Sequence, residues 1–200
     1  MADILYRMGE KLYVNLTNAC PCRCTFCIRQ NGDGVGSADS LWFERDPSLN
    51  EVLDAFGEIR LEEYEELIFC GYGEPTCALE NLLAVCRYVR RISAIPIRLN
   101  TNGLADLIWK KETAPLLKGL VDTVSISLNA PDAQKYAAVV RPSFGEQAFD
   151  AMLRYAAACK AVVPKVQFTI VDVLPEADIA ACERVAAEVG VPLRVRRYSA

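Results

Sequence analysis

The sequence contains no histidine. The commonest general base is therefore missing, and so is the commonest nitrogen ligand for zinc, copper or non-haem iron. Any zinc site would have to be built from cysteine, with a carboxylate as the one other choice. Apolar runs are also short. None approaches the roughly 20 residues that span a bilayer, so no membrane partner is expected. Positive charge is not in excess, since the net charge is −4. That gives no general attraction to nucleic acid or to an anionic membrane surface. Low-complexity tracts and internal repeats are missing too. The first residues, Met1-Ala-Asp-Ile-Leu-Tyr-Arg-Met8, lack the charged-then-apolar layout of a secretory signal. The chain is expected to be cytoplasmic.

What remains fits one globular unit. There are 200 residues, 52% hydrophobic and 24% charged, enough for a sizeable core. Residues 1–200 are read as a single domain. Nine cysteines in an unexported chain point to a reducing compartment, and hence to thiols and metal rather than disulfides.

Three of these cysteines stand in the spacing C-x3-C-x2-C, as Cys20, Cys24 and Cys27 within Asn18-Ala-Cys-Pro-Cys-Arg-Cys-Thr-Phe-Cys-Ile-Arg29. Three thiolates can hold three irons of a [4Fe–4S] cluster and leave the fourth open to a ligand that is not protein. Two other readings stand beside this one. A structural zinc ion needs four ligands, and Cys22 could supply the fourth, although Cys20, Cys22 and Cys24 at alternate positions would crowd one ion. Otherwise the cysteines are spare core residues. Cys22 reads as a bystander.

Strands and helices alternate along the chain. Residues 3–8 and 11–17 read as a hairpin across Gly9-Glu10. Later strands are expected at 66–70, 96–101, 122–128, 166–171 and 192–197. Ser48 and Glu51 form a candidate capping box, opening a helix with Leu49, Val52, Leu53 and Phe56 on one face. Helical spacing recurs at Leu79, Leu82, Leu83, Cys86 and Val89. It returns at Phe149, Met152, Leu153, Ala156 and Cys159, then at Ile179, Cys182, Ala186 and Val189. Cys86, Cys159 and Cys182 thus read as small core residues.

Counting from residue 11 gives six strand–helix units, the last a bare strand. A complete eight-unit barrel takes about 250 residues. The fold class is therefore α/β, an incomplete (β/α)6 TIM-type barrel with parallel strands and an N-terminal hairpin. The strands themselves alternate. Leu12, Val14 and Leu16 share one face, as do Ile97 with Leu99, Val124 with Ile126 and Leu128, Val166 with Phe168 and Ile170, and Leu193 with Val195. The opposite face carries Tyr13, Asn15, Thr17, Arg98, Asn100, Asn102, Ser125, Ser127, Asn129, Gln167, Thr169, Val171, Arg194 and Arg196. Period 2 lets one face pack on helices while the other lines something wet. An antiparallel sheet with a solvated face would show the same pattern, but the intervening helices favour βαβ crossovers.

Further motifs fall at strand ends: Cys70-Gly-Tyr-Gly-Glu-Pro-Thr76, Asn100-Thr-Asn-Gly103 and Ser125-Ile-Ser-Leu-Asn129. Together with the cysteine triplet they resemble the radical S-adenosylmethionine (SAM) superfamily. The stretches Leu12–Asn18, Phe69–Pro75 and Arg194–Tyr198 look most like its small TatD-associated members. The resemblance implies a [4Fe–4S] cluster on Cys20, Cys24 and Cys27 with SAM on the open iron. Reductive cleavage of SAM to a 5′-deoxyadenosyl radical and hydrogen abstraction from a substrate would follow. In the same terms Glu74, with Gly71 and Gly73, would receive the SAM ammonium. Asn100 and Asn102 would border the SAM pocket, and Ser127 and Asn129 would meet the ribose. Phe26 and Val171 would border the adenine, and Arg194 or Arg196 the SAM carboxylate or the substrate. Asn100 replaces an aspartate that helps bind a cation in some relatives, which argues against such a cation site here.

No catalytic residue is assigned beyond the cluster and SAM. The resemblance also implies a reductant such as flavodoxin or ferredoxin, and a TatD-type hydrolase as an associate. Arg98, Arg194 and Arg196 on the polar face suggest a small or peptide-like, anionic substrate. The competing class is a non-catalytic cluster- or zinc-holding scaffold for a partner hydrolase. The glycine-rich segment Gln30–Ser40 reads as a lid over the site; it lacks the lysine of a phosphate-binding P-loop.

Overall fold

The computed structural model describes residues 2–197; Met1, and Tyr198 at the end of the arginine-rich stretch, lie outside the described residues. Strands β1 (Leu5–Met8) and β2 (Lys11–Val14) form the expected antiparallel hairpin. Gly9 supplies the left-handed residue of its turn, at φ +60°, a conformation glycine adopts without steric cost. The rings of Tyr6 and Tyr13, directly opposite in the register, stack at 5.1 Å.

From β2 onward every pairing is parallel. The order runs β1-β2-β3-β4-β5-β6-β7, with β3 at Glu66–Phe69, β4 at Ile97–Thr101, β5 at Thr123–Ser127, β6 at Lys165–Val171 and β7 at Leu193–Arg196. Chain order and spatial order coincide, so each parallel strand lies beside the one before it. Because β1 and β7 are the two edges of the sheet, the barrel is open. The antiparallel alternative is excluded for these six strands.

The helices are α1 (Leu49–Ala55), α2 (Leu79–Ile92), α3 (Ala105–Trp109), α4 (Ala133–Val140), α5 (Gln147–Lys160) and α6 (Glu176–Val189). Helix α1 opens with the expected capping box, Ser48 and Glu51 each bonding the other's backbone N–H. The sequence reading contained neither α3 nor α4. The first has five residues, and the second buries only Tyr136 and Val140, too few positions to establish a period. Cys86, Cys159 and Cys182 are fully buried in the core, as expected.

The alternation holds through β6. Leu12, Val14, Leu99, Val124, Ile126, Phe168 and Ile170 are all buried against the helices. On β7 it fails, with Val195 44% exposed. No described helix follows β7 to cover that face. The β2 expectation is also corrected at its end. Pairing stops at Val14, so Asn15 and Thr17 belong to the following loop, where both are buried.

Candidate functional site

The chain leaves β2 at the C-terminal edge of the sheet and enters the cysteine loop, which is clamped on both sides. At its entry Thr17 Oγ1 donates to Asp46 Oδ2 at 2.6 Å, and Asn18 N donates to Asp46 Oδ1 at 3.1 Å. Ala19 O accepts from Glu74 N at 2.8 Å. Further on, Arg23 N and Thr25 N donate to Val140 O and Val139 O, at 3.0 and 2.9 Å. The loop is therefore stretched between the β3 loop and the last turn of α4.

Within it, Cys20, Cys24 and Cys27 are all partly exposed, whereas Cys22 is buried. The Cys22 thiol hydrogen-bonds to the Cys20 sulfur, which draws Cys20 below the usual thiol range and pushes Cys22 above it. Burial pushes Cys24 up to about 12. Among the described residues no three cysteine or carboxylate side chains are gathered tightly enough to share one metal ion. Sharing one ion is what zinc requires. A cluster, with each thiolate on a different iron, does not require it.

The β3 loop gives the glycines a structural job. A Cβ on Gly71 would lie 2.1 Å from Asn15 Oδ1, and one on Gly73 2.1 Å from Thr17 O. Both glycines thus admit the protein's own cysteine loop, so its close packing on the β3 loop already accounts for them. Glu74 completes the junction. Its buried carboxylate accepts from Thr76 N, Thr76 Oγ1 and Thr101 Oγ1 at Oε1, at 3.1, 2.8 and 2.6 Å. Oε2 accepts from Asn102 N at 2.7 Å. Burial raises its pKa, and these donors oppose the rise. Asn102 is engaged as well, its Oδ1 accepting from Leu104 N and its Nδ2 donating to Cys22 Sγ at 3.6 Å.

A pocket opens over the polar strand ends. Cys20, Cys24, Gly73, Glu74, Asn100, Asn102, Ser127, Asn129, Arg194 and Arg196, all expected, line it. Cys27, Gly71, Phe26 and Val171 do not. Phe26 lies instead on a neighbouring apolar groove with Val173 and Leu174. Asn129 sits in the left-handed region at φ +57°, which asparagine tolerates better than most residues.

Three polar atoms of pocket-lining residues have no protein partner: Asn100 Oδ1, Asn129 Oδ1 and Tyr136 OH are buried and unbonded. Such atoms are rare because each costs roughly 1–3 kcal/mol, and they fit a polar ligand. With Cys20 and Cys24 on the same pocket and Cys27 further along the same loop, the residues fit a [4Fe–4S] cluster and SAM. Sequence reasoning missed Tyr136 and Val140, which come from the unread helix, and passed over Cys70 and Thr101. The alternating face could have flagged Cys70, which follows Ile68 at a strand end.

Arg98 is a correction. It also lines the pocket, but its guanidinium is bidentate on Glu66, which Lys11 approaches at 3.3 Å. It is therefore not a free cation awaiting an anion. Among the described residues Arg194 and Arg196 form no ion pair. The glycine-rich segment is fastened to the hairpin and to the β3 loop. Ser37 N donates to Arg7 O at 2.9 Å, Arg7 N to Ser37 Oγ at 2.8 Å, and Tyr72 OH to Gly32 O at 2.6 Å. It covers the free edge of β1, a usual protection for an edge strand.

Residues 14–184 match the family described as the Radical SAM superfamily. The chain belongs to the radical SAM superfamily. Its members are enzymes, and a [4Fe–4S] cluster and SAM are their cofactors. A GTP 3′,8-cyclase of Corynebacterium glutamicum is 30% identical over 149 residues, covering 70% of this chain and 36% of that protein. Another, of Lactiplantibacillus plantarum, is 25% identical over 173 residues, covering 84% and 47%. The chain thus spans less than half the length of these curated relatives. Among solved structures, the radical SAM methyltransferase of Sphaerobacter thermophilus superposes with a TM-score of 0.56 at 16% identity, covering 96% of this chain and 68% of that one. HydG, a maturase of the [FeFe]-hydrogenase, gives 0.64 at 15% identity, covering 95% and 42%. At these identities the likeness is one of fold. No helix among the described residues is long and apolar enough to cross a membrane.

Proposed function

We propose that this chain is the core of a radical SAM enzyme acting on a small or extended anionic substrate. One observation carries the reading: unpartnered polar atoms of Asn100, Asn129 and Tyr136 face the same pocket as Cys20 and Cys24. A passive metal-holding scaffold has no use for them. When bound, the cluster and SAM would supply an electron and a 5′-deoxyadenosyl radical that abstracts hydrogen from the substrate.

The protein's own residues hold and orient. Cys20, Cys24 and Cys27 would ligate three irons. Glu74 Oε2, with a single protein donor against three at Oε1, keeps capacity for the SAM ammonium. Ser127 and Asn129 are suited to ribose hydroxyls; Phe26 and Val171, expected at the adenine border, stand off this pocket. Arg194 and Arg196 offer two cations to the SAM carboxylate and a substrate anion. Relatives named for GTP, itself an anion, support the sign of the substrate's charge and leave its identity open.

Flavodoxin or ferredoxin is the expected class of electron donor. The TatD-associated reading rests on Leu12–Asn18, Phe69–Pro75 and Arg194–Tyr198, and with it the hydrolase as an associate. Nine free thiols support a cytoplasmic setting. The test is anaerobic reconstitution with iron and sulfide, then SAM and dithionite. Release of 5′-deoxyadenosine is expected; SAM left intact by fully iron-loaded protein overturns the reading.

A further inference from the structure

Helix α4 brings Tyr136 to the pocket with 0% of its surface exposed and its hydroxyl unbonded. Its ring is already accommodated, meeting Phe149 of α5 edge-on at 5.6 Å. Phenylalanine would fill the same space without burying an unsatisfied hydroxyl, so packing alone does not explain the oxygen.

Cys20, Cys22, Cys24 and Glu74 line the same pocket. Of these, Cys22 already accepts from Asn102 Nδ2, and Glu74 Oε1 accepts from three protein donors. The spacing between Tyr136 and the cysteine loop is fixed, because Val139 O and Val140 O of the same helix accept from Thr25 N and Arg23 N. Tyr136 and Val140 lie one turn apart, both on the pocket.

We propose that the Tyr136 hydroxyl donates a hydrogen bond to the sulfur shell of the bound [4Fe–4S] cluster and raises its reduction potential. The proposal rests on the radical SAM reading above. Cluster potentials depend on hydrogen bonds to the sulfurs. Reduction adds negative charge to that shell, so a donor already aimed at it stabilises the reduced form more than the oxidised one. A phenol, with an ordinary pKa of about 10, is protonated at neutral pH and is a donor there.

The test is a redox titration of the reconstituted protein without SAM, followed by electron paramagnetic resonance. It compares the parent, Tyr136→Phe and Tyr155→Phe. Tyr155 is the control: it is also buried, but it does not line the pocket, and its hydroxyl faces Thr113 and Cys159. Tyr136→Phe is expected to keep its iron content and shift the midpoint to more negative potential, while Tyr155→Phe leaves it unchanged. An unshifted midpoint in Tyr136→Phe, or equal shifts in both variants, overturns the proposal. So does a loss of SAM affinity at constant potential, which would give the hydroxyl to SAM. A parent protein that takes up no cluster would instead refute the radical SAM reading.

Discussion

The polar face of the sheet has two ends that read alike in sequence and differ in bonding. At its start Arg98 of β4 is bidentate on Glu66 of β3, with Lys11 of β2 beside it. At its C-terminal end Asn100 Oδ1 and Asn129 Oδ1 have no partner. Asn100 is two residues beyond Arg98 on the same strand face. The floor spends its polar groups on structure, and the mouth leaves them open to ligand. A polar residue inside a barrel therefore indicates a binding site only after its protein partners have been counted.

The comparison breaks most sharply at the cysteines. Alanine at Cys20, Cys24 or Cys27 is expected to abolish the cluster, measured as iron content and visible absorbance after anaerobic reconstitution. Cys22→Ala should leave the iron nearly intact. Equal losses in all four would make Cys22 a ligand and revive a four-thiolate site.

At the floor, Glu66→Ala strands a mostly buried guanidinium. Breaking a buried pair typically costs about 3–5 kcal/mol. Half of that or more is expected in denaturant unfolding, because Arg98 retains 16% side-chain exposure. SAM affinity of the folded protein should hold. At the mouth the pattern inverts. Asn129→Ala should weaken SAM binding by about tenfold, the equivalent of one hydrogen bond near 1.4 kcal/mol, as read by equilibrium binding, with a loss of stability smaller than that of Glu66→Ala, about 1 kcal/mol for alanine at the left-handed φ of +57°. If Asn129→Ala destabilises the fold as strongly as Glu66→Ala, the distinction between floor and mouth is lost.

The smallest effect is expected at the edge of the hairpin. Tyr72→Phe removes the hydrogen bond to Gly32 O but keeps the aromatic contact with Trp42, at 5.0 Å between ring centroids. About 1 kcal/mol of stability should go, and hydrogen exchange should quicken across residues 30–40. Unchanged exchange there would show that the Arg7–Ser37 bonds hold the segment without Tyr72.

Sequence alone determined the order of the strands and of four of the six helices, the openness of the barrel and the separation of a polar from an apolar face. Each of these is written in local spacing: period 2 within a strand, a capping pair three residues apart, and too few strand–helix units to close a ring. The cysteine triplet was equally legible, because its chemistry lies in one short segment. Tertiary structure decided which polar groups are satisfied. Glu66 and Arg98 are 32 residues apart, and no local pattern announces that one neutralises the other. Tyr136 reaches the pocket from a helix too short to declare a period, and Gly71 and Gly73 are required by the approach of a loop more than 50 residues earlier in the chain. Hydrogen-bond satisfaction is a property of neighbours in space, and only the packed chain brings those neighbours together.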